Sequence, residues 1–399
     1  MNNGTRERWR RWVQVAPDDC DASARFIIGP GFERFSQVDD VFSRSRYDPE
    51  VAGDRANKFF STYRRPLADW RAAKGFRQLD YAYRNATWQV TDTFAEMHED
   101  DDRRDGFLDP LSQLRDGADE RLDVGQPDEA AKMVKHAART SGADLVGITA
   151  NDERWIYTER FSVTAGGAKA NDLPAGLDHV IVIGQQMDSS LIATAPSALS
   201  GAATGLGYSH DAVVLLTVAQ FIRNLGYQAI ASMNDTALAI PLAVKAGLGE
   251  YAKNGLLITP EFGPSLRLGK IFTDMPLAHD RPISFGVAEM CAECNACSKA
   301  CPGRAIPNSQ PVEIRHNRSN LAGVTKYTVD GEKCFNYWSK INSDCSVCIR
   351  VCPYTRDYTQ RRNRWWLRLA ATPLRRLALR IDKRQGRGQR AATEHWWPS

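Results

Sequence analysis

The sequence predicts an α/β (α+β) fold made of a mixed core and a small cysteine-rich module that follows it in the chain. Three observations support this prediction. A helical pattern followed by two short apolar strands begins near residue 128, a long apolar helix follows near residue 211, and eight of the nine cysteines fall between Cys291 and Cys352. Helices that alternate with buried strands are typical of mixed α/β domains, whereas cysteines at this density indicate bound metal or a disulfide framework.

The first core elements follow from hydrophobic periodicity and from glycine. Residues 129–140 have a helical pattern that ends at Gly142, and the apolar runs 145–149 and 179–184 have the length and composition of buried strands. The residues between these strands, 150–178, contain both Pro and Gly. We interpret them as an insertion into the core or as a crossover connection.

The longest predicted helix runs from about Asp211 to Leu225. It carries apolar residues on nearly every face, including Val214, Leu215 and Val218, and Gly226 follows it. A helix that is apolar all round is buried in the centre of a domain. We therefore expect it to form the middle of the core.

The residues before the core, 1–127, are charged and aromatic and contain no catalytic motif. We expect them to cover the core. The pair Arg10–Arg11 is followed by acidic residues instead of an apolar stretch, so it does not have the form of an export signal. No run in the chain approaches the roughly 18 apolar residues that span a bilayer. These features predict a cytoplasmic protein, peripheral to the membrane at most, with Cys20 as an ordinary free thiol.

Cysteine spacing defines the module. Residues 291–302 read C-x2-C-x2-C-x3-C-P, and a second run, 345–353, ends in the same x3-C-P pattern. In bacterial ferredoxins three cysteines of such a run ligate one [4Fe-4S] cluster and the fourth ligates the other cluster. The sequence therefore predicts two [4Fe-4S] clusters, the first held by Cys291, Cys294, Cys297 and Cys352 and the second by Cys301, Cys334, Cys345 and Cys348.

Two other uses of the cysteines are less consistent with the spacing. Zinc would need two separate tetrahedral sites built from C-x2-C pairs, and it leaves the x3-C-P endings at Pro302 and Pro353 unexplained. A disulfide framework is typical of secreted chains. Of the eight ligands, Cys334 departs most from ferredoxin spacing.

Glycine is concentrated in the stretch that precedes the cysteines. Glycines at positions 247, 249, 255 and 269 allow tight turns or the close approach of a bulky planar ligand. The stretch contains no G-x-G-x-x-G motif that opens a helix after a strand. A dinucleotide site of that type is therefore not supported.

The same stretch resembles a known family. The segments 246–250, 254–260 and 267–274, followed by the double cysteine motif, are similar to the cobalamin-dependent reductive dehalogenases, which are relatives of epoxyqueuosine reductase. The resemblance covers roughly residues 128–358. It implies a nitroreductase-like core that holds a base-off corrinoid, and the lack of an Asp-x-His-x-x-Gly motif agrees with a cobalt that has no histidine ligand. The cofactor-binding residues that it implies are Gly247, Gly249, Asn254, Gly255 and Gly269.

The resemblance also sets the expected domains. Residues 1–127 form the covering region, and 128–283 form the nitroreductase-like corrinoid-binding core with its insertion at 150–178. Residues 284–358 form a bacterial ferredoxin-like module with two [4Fe-4S] clusters. A basic tail occupies residues 359–399.

Four catalytic residues are implied by the resemblance. Tyr208, at the start of the long helix, matches the family's proton donor, Arg267 matches its cationic partner, and Lys270 and Asn234 match further active-site positions. A nearby guanidinium favours the phenolate and so makes proton release easier. The alternatives are a packing role for Tyr208 and a surface charge at Lys270. Asp235 is a further candidate, because epoxyqueuosine reductases use an aspartate in a similar Asp-Thr sequence.

The implied function is reductive dehalogenation of a halogenated small molecule. Electrons would come from a separate donor, such as a ferredoxin, a flavodoxin or a reductase, and pass through the two clusters to cobalt, which would reach Co(I). One alternative is epoxyqueuosine reductase-like tRNA modification, although the sequence after Asp235 lacks the Glu-Arg pair of that family. Another alternative is a corrinoid-handling or electron-transfer protein without substrate turnover.

The tail carries most of the positive charge. Residues 361–390 contain ten Arg and one Lys against one Asp, a local charge of +10, which leaves about −6 for the remainder of a chain whose net charge is +4. Basic amphipathic helices with Trp suit anionic membrane surfaces, but a tail packed on its own acidic body produces the same pattern. We expect no nucleic acid partner, because no RNA-binding module accompanies the charge.

Overall fold

The structure is a computed structural model that describes residues 13–15, 27–64, 70–97, 117–162, 165–171 and 173–398. The predictions for Arg10–Arg11 and Cys20 lie outside these residues. The helices are α1 (Val41–Tyr47), α2 (Asp54–Arg64), α3 (Gln78–Ala86), α4 (Gln89–Met97), α5 (Pro127–Thr140), α6 (Ser189–Ala193), α7 (Ala198–Asn224), α8 (Ala239–Lys245), α9 (Val287–Glu293), α10 (Ala296–Ala300), α11 (Gly331–Ile341), α12 (Val347–Arg350), α13 (Arg361–Ala370) and α14 (Arg375–Arg384). The strands are β1 (Gln14–Val15), β2 (Ile27–Ile28), β3 (Leu145–Ala150), β4 (Glu159–Ser162), β5 (Gly167–Ala170), β6 (His179–Gln186), β7 (Ala229–Ser232), β8 (Glu250–Tyr251), β9 (Leu257–Ile258), β10 (Leu266–Thr273), β11 (Ile283–Ser284), β12 (Val312–Glu313) and β13 (Val324–Lys326).

A four-stranded antiparallel sheet in the order β3-β6-β10-β7 forms the centre of the core. Ile181 on β6 lies opposite both Ile148 and Ile271, and this face packs against α5 and α7. The opposite face packs against α8 and the loops around it. Because both faces are covered, the strands are continuous apolar runs, which explains why the sequence predicted β3 and β6 correctly.

The connection between β3 and β6 is not a crossover. These strands are antiparallel neighbours, whereas a crossover joins parallel strands. The intervening residues form a short 3₁₀ helix at Glu153–Trp155 and the hairpin of β4 and β5. Residues 150–178 were interpreted as an insertion or as a crossover. Because the strands on either side are antiparallel neighbours, the insertion is compatible with this arrangement and the crossover is not.

Helix α7 is 27 residues long and begins 13 residues before the predicted start at Asp211. Glycines in its first half weakened the helical pattern, because glycine disfavours helix interiors. These glycines are needed because other parts of the protein pack closely against this half of the helix. A Cβ at Gly205 would collide with Thr87, and one at Gly207 would lie 2.5 Å from Cγ of Arg267. Tyr208 therefore lies inside the helix and not at its start.

The described N-terminal helices contact both α7 and the cysteine-rich module, and the covering role of this region stays a prediction. Ser209 of α7 donates a hydrogen bond to the carbonyl of Thr87 at 2.6 Å. Phe59 of α2 packs edge-on against Phe335 of α11, with ring centroids 5.7 Å apart. The boundaries of the predicted domains stay predictions.

The basic tail folds back onto the protein through one face of each helix. Trp366 is 2% exposed, its ring lies 5.5 Å from that of Tyr354, and the Arg356 guanidinium lies 3.7 Å above it. Arg356 also pairs with Asp382 of α14. The inner face of the tail therefore packs on the protein's own body, which is one of the two alternatives that the sequence left open. The outer face of both helices stays exposed.

Replacement of Trp366 by alanine should destabilise the protein by about 3–5 kcal/mol, because it leaves a large cavity beside Tyr354. Its neighbour Trp365 is 57% exposed, so Trp365→Ala serves as the matched control and should change stability by less than about 0.5 kcal/mol. Anaerobic urea unfolding of the cluster-loaded variants measures both effects. Equal midpoints for the two variants would contradict the inner-face packing.

Among the residues that the structure describes, no helix is both long enough and apolar enough to cross a membrane.

Candidate functional site

The first predicted cluster site is brought together from two distant parts of the chain. Three of its cysteines lie on or beside the short helices α9 and α10, and Cys352 arrives just after α12. These four side chains line one cavity together with Ala252, Asn254, Met290, Pro353 and Tyr354. The cavity thus combines three cysteines of the first run with the last cysteine of the second run, as the exchange pattern of double-cluster ferredoxins requires.

The second set also comes together. Cys334 lies in the first turn of α11, and its thiol interacts electrostatically with those of Cys345 and Cys301. Cys348, in α12, interacts with all three. Cys334, the ligand with the least regular spacing in the sequence, therefore lies among the other members of its predicted set.

The environment of the cysteines fits iron–sulfur clusters. Burial raises the pKa of the Cys291 thiol to about 12 and that of Cys345 to about 11. At neutral pH these thiols would therefore lose their protons when they coordinate a metal such as iron. Within the described residues, no three His, Cys, Asp or Glu side chains are close enough to bind a single metal ion.

Backbone and side-chain donors surround the sulfurs. The amide of Lys253 donates to Sγ of Cys291 at 3.5 Å, and the amide of Ala305 donates to Sγ of Cys301 at 3.3 Å. The buried Nδ2 of Asn254, which lines the first cavity, has no hydrogen-bond acceptor within the described part of the chain. Hydrogen bonds to sulfur tune the potential of such clusters, so these donors fit a bound cube.

Tyr208, Asn234 and Arg267 form one contact group in the core. The Nδ2 atom of Asn234 and a guanidinium nitrogen of Arg267 both donate hydrogen bonds to the Tyr208 hydroxyl oxygen. The Arg267 guanidinium lies 4.1 Å from the centre of the Tyr208 ring. Since the phenol oxygen accepts from both neighbours, its own hydrogen is left to point elsewhere. The group can hold a proton on Tyr208 and stabilise the phenolate once that proton leaves.

Trp88 completes this group from the N-terminal region, which contains no catalytic motif. Its ring lies 4.9 Å from the Tyr208 ring at an angle of 32°. Both rings are almost fully buried. Trp88 therefore packs against the Tyr208 ring. A lone aromatic residue was the one signal of this role in the sequence.

Lys270 is not a surface charge. It is fully buried and donates a hydrogen bond to the carbonyl of Met233, next to Asn234. Burial lowers its pKa to about 8, although Asp235 and Asp211 act in the opposite direction. The surface-charge alternative is therefore wrong, and Lys270 contacts the loop that carries Asn234 and not Tyr208 itself.

Asp235 is committed to the geometry of that loop. It is fully buried, and its Oδ1 accepts hydrogen bonds from Ser232 Oγ at 2.9 Å and from the Met233 amide at 3.0 Å. The next residue, Thr236, has φ of +70°. A β-branched residue in this region is strained, and such strain is found where a site needs a fixed backbone. The hydrogen bonds of Asp235 and the conformation of Thr236 therefore hold the loop so that Asn234 contacts Tyr208.

Asp211 is a further buried group that the sequence did not indicate. It lies one turn after Tyr208 on α7, and burial raises its pKa to about 7, with Arg267 and Lys270 opposing the shift. Both of its carboxylate oxygens lack a hydrogen-bond partner among the described residues. Asp211 therefore lies close to two cations, the partly buried Arg267 and the buried Lys270.

Three buried donors without partners meet at one end of the sheet. Gln185 of β6 lies directly opposite Arg267 of β10 in the register, and Ser265 precedes β10. Within the described ranges, Gln185 Nε2, Ser265 Oγ and Arg267 Nε have no acceptor. Leaving a buried donor unpaired costs about 1–3 kcal/mol. A ligand rich in amide or carbonyl oxygens would satisfy all three.

The predicted cofactor-binding glycines have packing roles in this structure. A Cβ at Gly269 would lie 2.6 Å from Leu215, and one at Gly249 would collide with the carbonyl of Ile258. Gly247 and Gly255 combine positive φ with similarly close protein neighbours. The protein's own atoms therefore account for the glycines at these four positions. Asn254, which was also predicted to bind the cofactor, lines the cavity of the first cluster.

Comparison with known proteins first defines the class of this protein. Residues 290–355 match the family model of the 4Fe-4S double cluster binding domain. The prediction of two clusters is confirmed, and the zinc and disulfide alternatives lose their support. The protein is a double-cluster iron–sulfur protein with a mixed α/β core.

The core matches a second family model. Residues 168–277 match the model of the reductive dehalogenase subunit. The chain is 35% identical over 306 residues to the tetrachloroethene reductive dehalogenase of Sulfurospirillum multivorans, a match that covers 69% of this chain and 60% of that protein. It is 38% identical over 270 residues to the enzyme of the same name from Desulfitobacterium hafniense, with 58% and 49% covered. The chain is thus similar to reductive dehalogenases over much of its length, and it spans about half to 60% of the length of these relatives.

Two further similarities concern a related enzyme and the fold. The epoxyqueuosine reductase of Listeria monocytogenes is 36% identical over 129 residues, which is 32% of each chain. The structure of the catabolic reductive dehalogenase NpRdhA superposes with a TM-score of 0.73 at 21% identity, over 96% of this chain and 50% of that one. The predicted fold class is therefore confirmed as a mixed α/β core with a double-cluster module.

Proposed function

We propose that the protein is a corrinoid- and iron–sulfur-dependent reductive dehalogenase that replaces halogen with hydrogen on a halogenated small molecule. The observation that supports this function most directly is the contact group of Tyr208, Asn234 and Arg267, which lies in the core that matches the dehalogenase family. Curated relatives are tetrachloroethene reductive dehalogenases. A relative with the same fold is described as B12-dependent, and another solved form of that fold contains 3-bromo-4-hydroxybenzoic acid.

The proposed cofactor is base-off cobalamin. Its periphery carries amide side chains, which would accept hydrogen bonds from the three unpaired donors Gln185 Nε2, Ser265 Oγ and Arg267 Nε. When bound and reduced, the corrinoid would supply the cobalt centre at which the carbon–halogen bond is broken.

The balance of the reaction defines what the protein's own residues must do. An organohalide takes up two electrons and one proton and yields the hydrogen-substituted product and a halide ion. Clusters bound by the eight cysteines would supply the electrons, and Tyr208 donates the proton from its hydroxyl group. Arg267 then stabilises the phenolate and offers a cation to the departing halide.

Asn234 and Lys270 have positioning roles in this mechanism. Asn234 orients the Tyr208 hydroxyl oxygen through its side-chain amide. Lys270 holds the Asn234 loop through the carbonyl of Met233 and provides a buried cation beside Asp211 and Asp235. A solvent proton can return to Tyr208 between turnovers.

The arrangement of Asp235 favours this function over tRNA modification. Its carboxylate is buried and accepts hydrogen bonds from its own loop. Tyr208 is an acidic group whose hydroxyl oxygen accepts a hydrogen bond from a cation, Arg267. A corrinoid or electron carrier without turnover would need no such group.

Anaerobic reconstitution with iron, sulfide and cobalamin tests the proposal. We expect about one corrinoid per chain with a base-off absorption spectrum, and halide release from a panel of chlorinated and brominated ethenes and phenols with reduced viologen as donor. Protein without cobalamin is the control. A histidine-ligated spectrum would contradict the base-off prediction, and full reconstitution without halide release from any compound would contradict the function.

A further inference from the structure

We propose that the outer face of α13 and α14 is the docking surface for an acidic electron-carrier protein that reduces the first cluster. The face carries the exposed cations Arg361, Arg362, Arg368, Arg380, Lys383 and Arg384. The inference extends the proposed function, because it concerns how electrons enter the protein. It depends on the clusters and not on the organohalide.

Within the described part of the chain, these six cations form no ion pair, whereas the neighbouring Arg375 and Arg376 of α14 pair with Glu293. The acidic residue of segment 361–390 is Asp382, which is 8% exposed and pairs with Arg356 underneath the helix. Segment 361–390 carries +10, whereas the remainder of the chain carries about −6. Such an asymmetry orients an acidic partner toward this face as it approaches.

Apolar side chains accompany the cations. Trp365 is 57% exposed, Leu374 is 60% exposed and Leu377 is 46% exposed. Protein interfaces are enriched in Arg and Trp, with apolar anchors surrounded by polar residues. The face thus offers both long-range attraction and short-range contact.

The position of the face indicates that its partner transfers electrons. The inner sides of the same two helices, through Trp366, Leu367 and Ala378, pack in one apolar cluster with Cys291 and Cys352. A helix with its side chains is about 10–12 Å across. A redox protein bound to the outer face would therefore be separated from the first cluster by about one helix, whereas an anionic lipid surface would gain nothing from this proximity.

The test follows cluster reduction directly. Fully reconstituted protein is mixed anaerobically with reduced flavodoxin, an acidic one-electron carrier, and bleaching of the clusters is recorded by stopped flow at several ionic strengths. The variant is Arg368→Gln/Arg380→Gln/Arg384→Gln. Its matched control, Arg55→Gln/Lys132→Gln/Lys169→Gln, removes three exposed cations elsewhere.

For the parent and the control, we expect reduction to slow as salt is added. The face variant should be reduced about tenfold or more slowly at low salt and should lose most of the salt dependence, because electrostatic steering changes association rates by about 10–10³-fold. Reduction by dithionite should be equal in all three proteins and shows that the clusters are intact.

Other outcomes would overturn the proposal. One such outcome is reduction of the face variant by flavodoxin at the parent rate. Another is a rate of reduction of the parent protein that does not depend on salt concentration. Loss of binding to phosphatidylglycerol vesicles with unchanged flavodoxin kinetics would assign the face to a lipid surface instead. If the triple variant loses its clusters, Arg368→Gln alone should still slow flavodoxin reduction relative to Lys132→Gln. Because no organohalide is present, failure of the dehalogenase function would leave this result unaffected.

Discussion

Replacing Cys352 with alanine should remove the first cluster and leave the second, so that bound iron falls from about eight atoms per chain to about four. The reason is that Cys352 lines the cavity of Cys291, Cys294 and Cys297, although it belongs to the second cysteine run. Electron entry through the first cluster would then stop, and activity should be abolished. Iron analysis and electron paramagnetic resonance of the reconstituted protein measure this effect.

Two double variants separate the exchanged arrangement from a linear one in which each run holds its own cluster. Cys291→Ala/Cys352→Ala damages one cluster if the ligands are exchanged, and about four irons should remain. Cys291→Ala/Cys301→Ala damages both clusters in that case, and little iron should remain. The opposite pattern would show that the ligands are arranged by run. Each double variant is the control for the other, because each removes two partly buried sulfurs.

Tyr208→Phe should lower the rate of dehalogenation by about 10²–10⁴-fold, the usual contribution of a general acid. The substitution removes the hydroxyl and keeps the ring that packs against Trp88, so iron, corrinoid and folding should be retained. Arg267→Ala should be comparably damaging, because the phenolate loses its cationic partner. Halide release under single-turnover conditions measures both effects.

A matched control exists in the same core. Tyr227 is also largely buried, and its hydroxyl donates to the carbonyl of Leu122 at 2.9 Å, away from the contact group. Tyr227→Phe should therefore keep the parent rate. If Tyr208→Phe keeps its cofactors and also reacts at the parent rate, the proton comes from another group, and Asp235 and Asp211 become the candidates.

The sequence by itself determined the features that depend on local spacing. Two clusters follow from ligand spacing, because neighbouring cysteines must reach irons of one cube, and the match at 290–355 confirms them. Strands β3 and β6 follow from apolar runs that a sheet buried on both faces requires. Tyr208, Asn234 and Arg267 were indicated by family resemblance, and the structure places them in mutual contact.

The tertiary structure decided whatever depends on contacts between distant residues. Helix α7 extends through its glycines because Thr87 and Arg267 pack against them, and Trp88 joins Tyr208 from a region without motifs. Lys270 is buried, although from the sequence it could have been either a surface charge or an active-site residue. The basic tail has a packed inner face and an exposed outer face, a division that charge and periodicity alone could not assign. In each case, long-range packing outweighs local propensity, because burial against a distant partner contributes more free energy than the choice of local conformation.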